Sequence, residues 1–222
     1  MTKKVQLLST RSAVLAGAML LALALIALAL VGTTAKQADA ATQTVTKSFS
    51  NTSQITIPEG APTSTTGAAL PYPSTISSAF PTGSKVLDVD VTFRNYTHTY
   101  PDDVDVLLAH AGANRTIMSD VGGPNDVGNI TLTLNDEASN GALTDQGQLN
   151  GGAFQPTNIN EGTDTFDYPA PSPANANSAL SGFDGTKAGG GWKLFVEDAG
   201  TGDYGKFAGG WTVKIKAAVP QQ

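Results

Sequence analysis

The chain predicts an all-β fold, an antiparallel jelly-roll β-sandwich of about eight strands, from three observations. Apolar and polar residues alternate with period two in several segments, as strands with one buried and one wetted face require. Glycine (24) and proline (12) recur at short intervals and mark turns between those segments. After residue 40 no window carries helical periodicity. Short strands with one apolar face each reach stability by stacking two sheets face to face.

Residues 1–40 read as a signal peptide whose hydrophobic stretch forms a helix ahead of the sandwich. Lys3, Lys4 and Arg11 make a basic lead, and Ala13 to Val31 is an uncharged run of Ala, Leu, Ile and Met with a few small residues. Ala38-Asp39-Ala40 places small residues where a signal peptidase reads, which predicts cleavage before Ala41. The same run is long enough to serve as an uncleaved membrane anchor. Either way the remainder is expected to be secreted or held at the cell surface.

Residues 41–48 are polar and read as a linker or edge strand, 49–217 as the sandwich, and 218–222 as a C-terminal tail. In the first long strand Leu87, Val89, Val91 and Phe93 share one face, with Asp88, Asp90, Thr92 and Arg94 opposite. Ile130, Leu132 and Leu134 alternate with Thr131, Thr133 and Asn135. Trp192, Leu194 and Val196 oppose Lys193, Phe195 and Glu197, and Trp211, Val213 and Ile215 oppose Thr212, Lys214 and Lys216. Ser53–Ile57, Thr75–Phe80, Val104–Leu108 and Arg115–Ser119 are shorter candidates. The stretch from Asn135 to Gly191 is poor in apolar residues. Leu149, Phe154, Phe166 and Phe183 are expected to pin it to the sandwich, with a turn of helix at Ser178–Phe183 and an extended surface segment at Pro169–Pro173.

Charge and cysteine content exclude whole classes of function. Without Lys3, Lys4, Arg11, Lys36 and Asp39 the chain keeps 9 basic and 18 acidic residues, a formal charge of −9. Nucleic acid is an improbable partner, because phosphate binding needs clustered Lys and Arg. Such acidity favours solubility and is compatible with calcium. The chain has no cysteine, so thiol catalysis, thiolate metal sites and disulfides are absent.

An ordered set of motifs runs through residues 49–216. It comprises Ile55-Thr56-Ile57-Pro58, then His98-Thr99-Tyr100-Pro101-Asp102-Asp103-Val104-Asp105, then Gly152-Ala153-Phe154-Gln155-Pro156. Gly182-Phe183-Asp184-Gly185, Gly191-Trp192-Lys193-Leu194 and Gly209-Gly210-Trp211 complete it. This set resembles the P-domain (P/Homo B domain) of kexin- and furin-type proprotein convertases, in a bacterial-type exported variant. The resemblance implies a galactose-binding-like jelly roll. It also implies a non-catalytic module that packs against a subtilisin-like serine protease and tunes its stability and calcium dependence. Residues 1–48 hold no Asp, His and Ser motifs of such a protease, so a serine endopeptidase label would be inherited from the family. The alternative is a surface or extracellular protein that binds a glycan or another protein, adheres, or assembles with its own copies.

Three carboxylates are the metal candidates: Asp102, Asp103 and Asp105. Calcium takes six to eight oxygens from closely spaced carboxylates and turn carbonyls. Asp103 and Asp105 would share a strand face, with Asp102 in the turn. The bland reading is that they cap the turn after Pro101 or solvate a strand edge. His98 and His110 are the chain's two histidines. Asp102 and Asp103 are near enough in sequence to orient His98, but no Gly-x-Ser-x-Gly elbow accompanies either ring, and a turn-stiffening role is expected. Asp120–Asp126 and Asp198–Asp203 are acidic, Gly-rich loops without the lysine of a phosphate cradle. Trp192 and Trp211 lie in phase with apolar faces and are expected in the core. Tyr96, Tyr100, Tyr168 and Tyr204 are the aromatics placed for a surface ligand.

Overall fold

The computed structural model describes residues 41–160, 164–172 and 174–221; the expected signal segment lies outside the described residues. In chain order the strands are β1 (Thr42–Asn51), β2 (Ile55–Ile57), β3 (Gly67–Ala68), β4 (Ser74–Ser78), β5 (Lys85–His98) and β6 (Val104–His110). They continue with β7 (Ala113–Ser119), β8 (Val127–Leu134), β9 (Gly152–Phe154), β10 (Thr157–Asn158), β11 (Gly190–Asp198), β12 (Gly205–Phe207) and β13 (Trp211–Pro220). One sheet runs β1-β13-β5-β12-β2, with β8 on β5 and β9 on β8. The other runs β10-β7-β6-β11-β3, with β4 also on β11. Pairing is antiparallel except between β8 and β9 and between β7 and β10. The protein is all-β and sandwich-like, with more strands than the sequence suggests: two-residue additions such as β3 and β10 join strands that run longer than expected, 14 residues in β5 and 10 in β13. Among the described residues no helix is long and apolar enough to cross a membrane.

Alternation places the core between the sheets. Val89, Val91, Phe93, Val213 and Ile215 of the first sheet meet Val104, Val106, Leu108, Trp192, Leu194 and Val196 of the second in one buried cluster. Both indoles are fully enclosed. Trp192 Nε1 donates to Ser78 Oγ at 3.2 Å and Trp211 Nε1 to Ser74 Oγ at 2.9 Å. Both hydroxyls belong to β4, whose buried-exposed alternation turns Ser74, Ile76 and Ser78 inward. A five-residue strand thus satisfies the buried N–H groups of both tryptophans.

Two assignments from periodicity change. Leu87 is half-exposed and Val86 is buried in its place. The ladder passes from the pair Lys216–Asp88 to Ala217–Val86, so Leu87 is an extra residue and reverses the phase of the strand's start. Phe195 lies on the outer face as expected, yet it is enclosed. It forms a second cluster with Leu107 and Ala109, covered by Tyr72, Phe166, Ala170 and Ala174. The glycine- and proline-rich stretch is therefore in part a roof over the second sheet. Ala170 of the supposed surface segment packs into it, in a turn closed by its N–H to the Asp167 carbonyl (2.9 Å), while Pro173 is outside the described residues.

Leu149 and Phe183 enter the main core, and Phe154 packs on it partly buried. The helical turn is a 3-10 turn at Leu180–Phe183. Its leading N–H groups, on Leu180 and Ser181, donate to the Asp136 carboxylate at 2.9 and 2.8 Å, a cap supplied from a distant loop.

Candidate functional site

The turn from His98 to Asp105 sits where β5 ends and β6 begins beside the last residue of β11, since Asp198 pairs with Val104. That register sets His98 against Asp198: Nε2 lies 3.3 Å from Oδ2, with both side chains fully buried. The contact is an ion-pair distance without the alignment of a hydrogen bond. The other ring nitrogen, Nδ1, accepts the Tyr100 N–H at 3.2 Å and lies 3.0 Å from the Tyr100 carbonyl. His98 thus knits the turn to β11. Asp198, not Asp102 or Asp103, is its carboxylate neighbour.

The three metal candidates go to different places. Pro101–Asp103 form a 3-10 turn, so Asp103 is not on the face of β6 shared with Asp105. Asp102 accepts the Gly123 N–H at 3.3 Å, and burial raises its carboxyl above the ordinary range. The Asp103 carboxyl rests against the Cα of Gly200, where no Cβ would fit. Burial, aided by the carboxylates of Asp198, Asp203 and Asp102, pushes Asp103 up to about 6. Asp105 faces the other way, under the roof. Among the described residues no group of three His, Cys, Asp or Glu side chains converges closely enough to hold a metal ion.

Asp105 belongs to a polar cluster that sequence spacing does not reveal. Ser119 Oγ of β7 lies 2.6 Å from Asp105 Oδ1 and 2.7 Å from Oδ1 of Asp164, which belongs to the roof. A hydroxyl has one hydrogen to donate. Two carboxylate oxygens at such distances therefore need a second proton, carried by one carboxyl and donated to the hydroxyl oxygen. Burial, with the nearby charges of Asp164, Asp120 and Glu197, pushes Asp105 up to about 8. Asn158 Nδ2 ties Asp164 to the Ala176 carbonyl (3.0 Å each). Alongside, Glu197 Oε2 accepts from the Tyr72 hydroxyl and the Asp167 N–H, both at 3.0 Å. The polar end of the roof is thus latched to the outer sheet at two carboxylates, Asp105 and Glu197.

The second histidine and the loop after β7 serve the fold. His110 stacks on Trp192 with ring centroids 3.8 Å apart, and its nitrogens face the carbonyls of Gly191 (2.9 Å) and Lys187 (2.7 Å). In the loop after β7, Asp120, Gly122 and Gly123 adopt positive φ, which shapes a tight turn. Tyr96 is fully buried against Phe207, whereas Tyr168 is exposed and Tyr204 nearly half so. No family model, curated protein or solved structure matches this chain.

Proposed function

We propose that the chain is an exported, non-catalytic interaction module of the P-domain type, a galactose-binding-like jelly roll that docks on and stabilises a partner protein outside the cell. A subtilisin-like serine protease is the partner class that the motif resemblance implies. One observation carries the non-catalytic part of this reading: both histidines are buried, three of their ring nitrogens face backbone groups, and the fourth, His98 Nε2, is enclosed 3.3 Å from Asp198 Oδ2. A general base must reach a substrate proton within hydrogen-bond distance, and neither ring is presented to do so. The motif residues His98, Trp192 and Trp211 act on architecture, which leaves the loops as the contact surface.

The test uses the full chain as bait in the secretome of its own host. Enrichment of a subtilisin-like protease, and a higher melting temperature for that protease in the complex, are expected. Casein or ester hydrolysis by the purified chain, lost in His98→Ala, would overturn the reading; so would a pull-down that enriches no protease.

A further inference from the structure

The outward face of the first sheet carries a cleft of about 390 Å³. Its floor is a row across three hydrogen-bonded strands, because Lys206 of β12 pairs with Thr56 of β2 on one side and with Thr97 of β5 on the other. Gln54 extends the row, its amide donating to Thr56 Oγ1 at 3.0 Å. Ala61 and Pro62 wall one side, Asp126, Val127 and Gly128 the other, and Tyr204 with Thr99 closes the end next to the His98 turn. The floor is rigid. Gly205 lies so tightly on the Thr97 carbonyl and the His98 ring that no Cβ would fit there.

The chemistry of the lining is selective. Among the described residues no protein group pairs with the Thr97 hydroxyl, the Lys206 ammonium, the Asp126 carboxylate or the Tyr204 hydroxyl. One cation and one anion leave the cleft without net charge, and the −9 of residues 41–222 repels anionic ligands. β12 is paired on both edges, so an extended peptide cannot add here as a strand. What remains is recognition by side chains: hydroxyls, an amide and two opposite charges for a ligand that both donates and accepts, with a phenol face for an apolar ring surface. The cleft volume falls within the range of small-molecule sites, roughly 300–1,000 Å³.

We infer that this cleft binds a neutral saccharide, with the Tyr204 ring against the C–H face of one sugar and Asp126, Lys206, Gln54 and Thr97 on its hydroxyls. The inference goes beyond the accessory role and is independent of it. A silent sugar panel leaves a protease partner standing, and a failed pull-down leaves the cleft standing.

The experiment is saturation-transfer NMR on the full chain with glucose, galactose, mannose, N-acetylglucosamine, cellotetraose and chitotetraose, alongside sialyllactose as the acidic comparison. At least one neutral probe is expected to bind and sialyllactose not to. Tyr204→Ala should weaken binding about tenfold, as loss of a ring contact of roughly 1.4 kcal/mol implies. Asp126→Asn should weaken it severalfold, and Tyr204→Phe should keep most of it, with melting temperatures near that of the parent. Binding of no neutral probe, preference for sialyllactose, or undiminished binding by both Tyr204→Ala and Asp126→Asn would overturn the inference. Should Tyr204→Ala fail to fold, Asp126→Asn, at an exposed position, decides alone.

Discussion

Ser74 and Ser78 show how much the core depends on single polar atoms. Each accepts the only N–H of a fully buried indole, and Ser78 Oγ also donates to the Ala188 carbonyl at 2.7 Å. Removing the hydroxyl of Ser74 strands the Trp211 N–H in an apolar interior, at a cost of about 1–3 kcal/mol. Ser74→Ala should therefore lower the urea midpoint with the slope unchanged. In a Trp211→Phe background the same substitution should cost much less, since the buried indole donor is gone and the other donor to Ser74 Oγ, Asn51 Nδ2 at 3.3 Å, keeps the Thr75 carbonyl at 3.2 Å. Equal costs in both backgrounds would show that the bond contributes little. The tryptophans were legible as core residues because their phase matched Leu194 and Val213. Their partners were not, because a serine alternating with threonine and isoleucine looks like any exposed strand. His98 was legible as a turn residue for the same local reason, but Asp198 is a hundred positions away and only strand register brings it near.

Register is also where elements succeed or fail. Gly210 opens β13 at φ +65, and a Cβ there would strike the carbonyl oxygens of Asn51 and Ser53 where β1 ends. Gly112, between β6 and β7, has φ +88 but open space around its missing side chain. The two therefore separate backbone strain from collision. Gly112→Ala should cost about 1–2 kcal/mol, the left-handed penalty alone. Gly210→Ala should cost distinctly more, because the β1–β13 ladder must shift as well. Denaturant melts of the two variants compare them directly, and equal losses would mean that the β1 end yields freely. Strand existence was readable wherever period two ran unbroken, as in Val89–Phe93 and Trp211–Ile215. It misled at Leu87, where one inserted residue inverts the phase, and at Phe195, where a distant roof encloses an outward face. Neither a bulge nor a cover leaves a mark in local alternation.

At the scale of the whole molecule, buried acidity sets the response to pH. Burial raises the carboxyls of Asp102, Asp103, Asp105, Asp120, Asp184 and Glu197 alike, Asp103 to about 6 and Asp105 to about 8. Between the ordinary carboxylate range and those values the folded chain holds more protons than the unfolded one. Stability then falls as pH rises. It is fully present below about pH 4 for these groups, and is lost through about 6 for Asp103 and about 8 for Asp105. Around Asp105 stand Ser119 and Asp120 from β7 and the turn after it, Glu197 from β11, Asp164 from the roof and Tyr96 from β5, with no cation among them. Ionising Asp105 where Ser119 joins it to Asp164 should loosen the roof first. The melting temperature is expected to fall by about 5 °C or more between pH 5 and pH 9. Hydrogen exchange at Asp167 and Ala170 should speed up more steeply than hydroxide catalysis alone requires. Asp105→Asn puts an amide donor where the protonated carboxyl stood, so it should match the parent at pH 5 and exceed its stability at pH 9. Running both proteins in EDTA and in millimolar calcium distinguishes a shared proton from a bridging ion. Coincident curves are the expected result. Calcium that restored the alkaline limb of the parent but not of Asp105→Asn would replace the proton with a cation between the two carboxylates.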